Sequence, residues 1–377
     1  MFKKYFLLVF PLIISCNTNS EKNTKADNSF DTLKNIYAAG FRIIKYNKYL
    51  TIEEFNPWQK AQNIAVKYRL KRQNQIIQKS NVNYINTPVK KVVCMSTTYI
   101  SFIDKLGELN TIKGISGINL VSNAIIQKGI KNKEIVDVGY EQNLNYEMLI
   151  SMKPDVVFTY GIGSEVSGQV AKMQELGIPV VLVSEYLETN PLAKAEWIKF
   201  FAEFFDKEEK ANYIFINLSE QYDELMNKVV KINYRPTVIS GLPWNGTWFV
   251  SGGNSYLAKL INDAGGNYLW KSVQSHESIP MNLEFIFQKS LYADIWINLS
   301  SATSKNDIIN IDGRFKNLKP FKDDKMYNNN ARINLNGGND YWESGSVNPH
   351  IILKDLVHIF HPEINPDYQP FYYKKLK

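Results

Sequence analysis

The sequence predicts an α/β protein: two α/β lobes joined by a long bracing helix, with a small N-terminal β addition. Three observations carry this. Short, continuously apolar runs alternate with amphipathic stretches from Val89 to Ser184, and again from Pro236 to Tyr327, as expected of parallel strands covered on both faces. Between the two, from about Pro191 to Lys231, apolar residues recur at helical spacing. Ahead of both, FRIIKY, YLTIEEF and NIAVKYRLKR show partial apolar/polar alternation, which reads as antiparallel strands.

The chain opens with MFKKYFLLVFPLIISC. Lys3 and Lys4 precede an apolar run that is too short to span a bilayer, because a spanning helix needs ~20 apolar residues. Residues 1–15 therefore read as a signal peptide. A small residue followed by Cys16 resembles the bacterial lipobox, which implies that Cys16 becomes the acylated first residue of a lipoprotein. Residues 16–30 are rich in Asn, Lys and Ser and read as a lipidated tether. An extracytoplasmic protein anchored to a membrane is expected. The β addition is placed at 31–87, the N-terminal α/β lobe at 88–190, the bridging helix at 191–231 and the C-terminal α/β lobe at 232–377.

Within the first lobe, VVCMS is a short buried-type strand and YISFIDKLG a helix closed by Gly107. LNYEMLISM is a helix ended before Pro154, DVVFTYG an apolar strand, and IPVVLVS another. In the bridge, Pro191 suits a first helical turn. Trp197, Phe200, Phe201, Phe204 and Phe205 form its apolar stripe, with a joint around Asp206. A straight helix of that length would run ~60 Å. The second lobe reads PTVISGL, TWFVSGG, NSYLAKLINDAGG, NLEFIFQKSL and ADIWINLS, and ends with the helix PHIILKDLVHIF. The lobes echo one another: Glu147 and Glu284 each open a helix, and Asp155 and Asp294 each open the strand that follows.

The formal charge of +7 is scattered lysine without a basic cluster, so no nucleic-acid partner is expected. Of the two cysteines, Cys94 lies in an apolar run and has no partner if Cys16 is acylated. It reads as a small buried hydrophobe. Gly161-Ile162-Gly163 is followed by Gly168, too far on for a dinucleotide turn, and there is no P-loop, G-x-S-x-G or H-E-x-x-H. No enzyme and no cofactor are expected. His350, His358 and His361 cluster near the end, but a metal site needs three or four converging ligands, so none is assigned.

With these elements placed, NLNYEMLISMKPDVVFTYG, MQELGIPVVLV, IDGRFKNLKPFKDDKMY and GNDYWESGSVNPHIILKDLVHIFHPE resemble motifs of the substrate-binding proteins of bacterial ABC importers for iron complexes and vitamin B12. The resemblance covers about 88–363. Residues 28–87 depart from the pattern, as does Asn348-Pro349-His350 where many members carry Arg-Pro-Asp. It implies a ligand cleft between two lobes bridged by a helix, a monomer, and partners in an ABC permease and its ATPase. The ligand is expected to be a metal chelate, siderophore or haem, with a corrinoid as the alternative. Only six arginines weaken the case for a strongly anionic catecholate. Two further readings are an adhesive surface lipoprotein and one that hands its ligand to an outer-membrane receptor.

Ligands of α/β lobes meet the loops at the C-terminal ends of strands. Those loops carry Thr98, Tyr99, Tyr140, Tyr160 and Tyr186 in the first lobe and Trp244 and Trp248 in the second. Such rings offer flat apolar contact with a polar edge. His276 is a cleft candidate or a surface histidine. Arg314 either pairs with an anionic ligand or braces the second lobe. By resemblance, Glu147 and Glu284 match the lobe-surface glutamates that engage permease arginines. Each also suits the positive end of a helix macrodipole.

Overall fold

The computed structural model describes residues 30–73, 75, 83–140, 143–161 and 165–377. Cys16 and the tether lie outside the described residues. The N-terminal sheet runs β1 (Phe30–Leu33), β2 (Phe41–Tyr46), β3 (Leu50–Phe55), β4 (Ala65–Arg72) and β5 (Ile85–Thr87), in sequence order. Its first three pairings are antiparallel and β4–β5 is parallel. Phe41, Ile43, Ile52, Tyr68 and Leu70 bury one face of it in the main core.

The first lobe has strands β6 (Val92–Cys94), β7 (Ile112–Ile115), β8 (Val136–Asp137), β9 (Val156–Thr159) and β10 (Val180–Leu182). Their order is β10-β9-β6-β7-β8, all parallel. Helices α1 (Thr98–Leu106), α2 (Ala124–Lys131), α3 (Tyr146–Met152) and α4 (Glu165–Glu175) connect them. Alternate residues of one strand enter different cores. Val92, Cys94, Val156 and Phe158 join the main core, while Val93 and Val157 join a second cluster with Leu149, Met173 and Ile178. Both faces are covered, which is why these strands are unbroken apolar runs.

The 191–231 stretch is three helices rather than one rod: α5 (Pro191–Glu196), α6 (Ile198–Phe205) and α7 (Glu208–Val229). The helix breaks at Asp206, which adopts a left-handed conformation with φ 54°. The physical reason is burial on all sides. Phe200 and Trp197 meet Phe41 of the N-terminal sheet, while Phe201 and Phe204 meet Phe158 of the first lobe. Apart from Lys199 and Glu203 the helix is apolar, with its four phenylalanines buried, so α6 becomes the slab between sheet and lobe. The 22-residue α7, ~33 Å long, then buries Phe215, Leu218 and Tyr222. The Tyr222 hydroxyl donates to buried Asp263 at 2.8 Å in the second lobe.

The second lobe comprises β11 (Thr237–Ser240), β12 (Thr247–Ser251), β13 (Asn267–Tyr268), β14 (Ser278–Asn282), β15 (Ile295–Ile297), β16 (Met326–Asn328) and β17 (Lys374–Lys375). Its sheet order is β13-β11-β15-β16-β17, parallel except for the returning β17, and β12 pairs antiparallel with β14 outside it. Its helices are α8 (Tyr256–Asp263), α9 (Leu283–Ser290), α10 (Lys305–Ile311), α11 (Lys319–Lys322), α12 (Asp340–Glu343) and α13 (Pro349–Phe360). The two lobes share devices. Asn145 and Asn282 cap α3 and α9 with their side chains. Asp155 accepts from Lys90 and Lys91 N–H, and Asp294 from Thr237 N–H, tying neighbouring strands together.

Candidate functional site

The C-terminal ends of β6, β9 and β10 deliver Thr98 and Tyr99, Tyr160, and Glu185 and Tyr186 to one place. There they face α5, α8 and α12 across a cavity of about 430 Å³. Lys194, Tyr256, Tyr341 and Trp342 form the opposite wall. That volume is of ligand size. The lobes are also bonded across it: the Thr98 hydroxyl donates to the Trp342 carbonyl at 3.1 Å.

The lining is aromatic with a charged floor. The ring of Tyr341 stands edge-on to that of Trp342, with centroids 4.8 Å apart. Tyr186 donates its hydroxyl proton to the Gly161 carbonyl. Glu185 is 4% exposed, and its Oε2 has no hydrogen-bond partner among the described residues. Burial pushes its carboxyl up to about 7, with Lys194 pulling the other way. Burial in turn lowers the Lys194 amine, which sits 5.6 Å from the ring centre of Tyr256. An unpaired buried acceptor is costly, and here it belongs to a residue of the cavity wall.

The structure brings Thr98, Tyr160 and Tyr186 together with four residues missed in the sequence: Glu185, Tyr256, Tyr341 and Trp342. Tyr99 touches the cavity but is 1% exposed, its ring packed between Phe158 and Phe201. It is a core residue rather than a ligand contact. Trp248 is corrected likewise. It points inward from β12, its ring lies 5.8 Å from that of Trp296 and 5.7 Å from that of Phe315, and Nε1 donates to the Ser240 carbonyl. The alternation of a paired strand, with Trp248 in and Phe249 out, decides this.

Trp244 is 70% exposed and lines a different cavity in the second lobe, with Leu283, Ser300 and Asp307. Tyr140 is half-exposed, with its ring over Gly117. Arg314 is corrected from ligand contact to brace. Its Nη1 donates to both oxygens of Glu284 at 2.7 and 2.8 Å, and its Nε and Nη2 donate to Asp312. Glu284 therefore carries a cation already, whereas Glu147, exposed in the first turn of α3, has no ion pair among the described residues. His276 lines a second, larger cavity adjoining the first. His358 faces the Asn365 carbonyl and His361 that of Gly265, so the C-terminal histidines do not converge. Among the described residues, no group of three His, Cys, Asp or Glu side chains is placed to hold a metal ion. No helix there is long and apolar enough to cross a membrane.

An uncharacterised lipoprotein of Methanocaldococcus jannaschii is 29% identical over 292 residues, 75% of this chain and 68% of that one. A structure described as a possible iron-binding (periplasmic solute-binding) protein, from Staphylococcus epidermidis, superposes with a TM-score of 0.57 at 18% identity, covering 72% of this chain and 99% of that one. A periplasmic haem-binding protein of Pseudomonas aeruginosa does so with a TM-score of 0.57 at 13% identity, covering 77% and 98%. These two likenesses show the fold. A model of the periplasmic binding protein family matches residues 92–325, which run from β6 to the residue before β16 and include the cavity residues from Thr98 to Tyr256 but not Tyr341 and Trp342: the chain is a member of the periplasmic binding protein family.

Proposed function

We propose that this chain captures a bulky iron complex, siderophore or haem, in the cavity between its lobes and delivers it to an ABC permease without catalysing a reaction. The observation that carries the reading is the convergence of Tyr160, Tyr186, Tyr256 and Trp342 on one ligand-sized space. Flat rings with hydrogen-bonding edges suit a chelate or macrocycle that is apolar on its faces and polar at its rim. Glu147 and Glu284 are proposed as the docking residues, one on each lobe. Such rim charges set orientation and on-rate more than affinity. Cys16 is proposed as the lipid anchor, which keeps the carrier at high local concentration near its permease. Acylated Cys16 in mass spectra of membrane-purified protein supports the anchor, and an unmodified thiol removes it.

The ligand reading is tested by calorimetry on the full chain purified in detergent, titrated with haemin, ferrioxamine B and cyanocobalamin. One iron-bearing probe is expected to bind, and Trp342→Ala to weaken it tenfold or more, in keeping with ~1–3 kcal/mol for a lost stacking partner. Binding of cyanocobalamin alone moves the assignment to a corrinoid. Silence from all three overturns the ligand class. Glu147→Ala combined with Glu284→Ala is expected to leave the titration unchanged and abolish uptake in cells, and normal uptake would remove the docking role.

A further inference from the structure

The aromatic cavity does not end at Tyr186. Tyr186, Glu188 and Tyr256 also line a second cavity of about 700 Å³. Its outer wall is the turn between β3 and β4, with Asn56, Trp58, Gln59 and Lys60, and its third side is the His276–Ser278 segment of the second lobe. The two chambers differ in chemistry. The inner one is mostly aromatic, and the outer one adds the amide, ammonium, imidazole and carboxylate groups of Asn56, Gln59, Lys60, His276 and Glu277 to the rings of Phe55 and Trp58.

The N-terminal sheet is fastened to the first lobe by buried polar bonds. Glu54, fully buried, accepts from the Ser184 hydroxyl at 2.7 Å and the Tyr68 hydroxyl at 3.3 Å. Tyr68 in turn accepts from Leu182 N–H, at the edge strand β10. Glu188 takes the N–H groups of Ala39 and Gly40, and Glu196 those of Ile36, Tyr37 and Ala38. The turn itself is seated on the cleft loop by a bridge between Trp58 and Gly161. A side chain at 161 would come within 2.8 Å of the Trp58 Cβ, so glycine there permits the approach. Buried hydrogen-bonded attachments at so many points hold a wall in one position.

We propose that the β3–β4 turn is part of the ligand site, forming with His276 an outer chamber that takes a polar, amide- or carboxylate-bearing arm of a ligand whose apolar body fills the inner one. The inference rests on the reading of the inner cavity as the ligand site. Trp58 supplies a face along which the arm runs, and Lys60, exposed at the rim, a cation for its acceptor groups. Glu185, whose Oε2 is buried without a partner among the described residues, belongs to the inner chamber next to Tyr186, one of the three residues shared by both chambers. The departure of residues 28–87 from the family pattern then has a use: it enlarges the site.

The test pairs probes that share a body and differ in the arm: cyanocobalamin with dicyanocobinamide, haemin with its dimethyl ester, and N-succinyl ferrioxamine B, whose arm ends in a carboxylate, with N-acetyl ferrioxamine B. Each is titrated calorimetrically into the full chain and into Lys60→Glu, Trp58→Ala and Trp342→Ala, with folding checked by circular dichroism. For the armed probe that binds the native chain, Lys60→Glu and Trp58→Ala are expected to weaken binding tenfold or more. The armless partner should shift by less than twofold, while Trp342→Ala weakens both. Lys60→Glu changes an exposed residue, so its result stands even where Trp58→Ala perturbs folding. Armed binding that ignores Lys60→Glu and Trp58→Ala but falls with Trp342→Ala overturns the outer chamber and leaves the cleft intact. No binding of any probe by the native chain overturns the cleft reading, and the chamber with it.

Discussion

Glu185 shows how a residue with no strong sequence signal can govern a site. It follows β10 as one of many glutamates, yet the fold buries it at the cavity floor with one oxygen unpaired. Burial raises its carboxyl from an ordinary 4.5 to about 7. The folded state therefore binds a proton that the unfolded state releases, and folding stability falls as pH rises from about 4.5 to 7. At ~1.4 kcal/mol per unit, the ceiling of the effect is ~3 kcal/mol. Glu185→Gln lacks this titration. Relative to the native chain, the variant should gain up to ~3 kcal/mol between pH 4.5 and 7.5 in urea unfolding, and a constant difference across that range would refute it. The tryptophans teach the converse. Composition alone could not tell Trp244 from Trp248, four residues apart, because one closes a turn and the other fills a pleat. Trp248→Ala should cost ~3–5 kcal/mol as a core deletion, and Trp244→Ala less than ~0.5 kcal/mol as a surface change.

At the scale of elements, the two α/β patterns were legible because a parallel strand buried on both faces has no polar side to hide it. The bridge was only half legible. Its apolar spacing announced helix, and Asp206 announced a joint. The all-round burial of α6 depends on Phe41 and Phe158, which lie far away in sequence. The second wall of the cavity escaped for the same reason: Tyr256, Tyr341 and Trp342 come from helices rather than strand ends. Asp206 holds the break. It accepts from the Thr87 hydroxyl at 3.1 Å and pairs with Arg72 at 3.6 Å while in the left-handed region. A Cβ-bearing residue without those bonds pays ~1–2 kcal/mol for the backbone alone. Asp206→Ala should therefore lose ~1–2 kcal/mol, to which the partly exposed bonds add little, and Asp206→Gly less, since glycine relieves the backbone cost. Equal losses in denaturant titrations of the two variants would mean that the backbone conformation contributes nothing.

At the scale of the whole molecule, the lobes are held together by more than α7. Glu343, 3% exposed in the second lobe, accepts the N–H of Ser122 and Asn123 in the first at 2.7 and 2.8 Å. Beside it, the Asn334 side chain donates to the carbonyls of Asn119 and Val121. Burial pushes the Glu343 carboxyl up to about 7. The two N–H groups oppose this, and Asp340 and Asp104 add to it. If the lobes part, the carboxyl reaches water and returns towards its ordinary 4.5. Closure then takes up a proton between pH 4.5 and 7, so the closed arrangement is favoured at the acid end and loosens as pH rises through that window. Spin labels at Lys128→Cys and Lys316→Cys, both exposed and on opposite lobes, report the separation, while buried Cys94 stays unlabelled. The distance distribution is expected to broaden towards longer values from pH 5 to pH 8. Glu343→Ala, which leaves two buried N–H groups without their acceptor, should be broad at both pH values, at a cost of ~1–3 kcal/mol to closure. Glu343→Gln keeps one acceptor and cannot titrate, so its distribution should be independent of pH. A native distribution that does not move between pH 5 and pH 8 would remove Glu343 as the latch and leave the lobe spacing to α7, the Thr98–Trp342 bond and the Asn334 bonds.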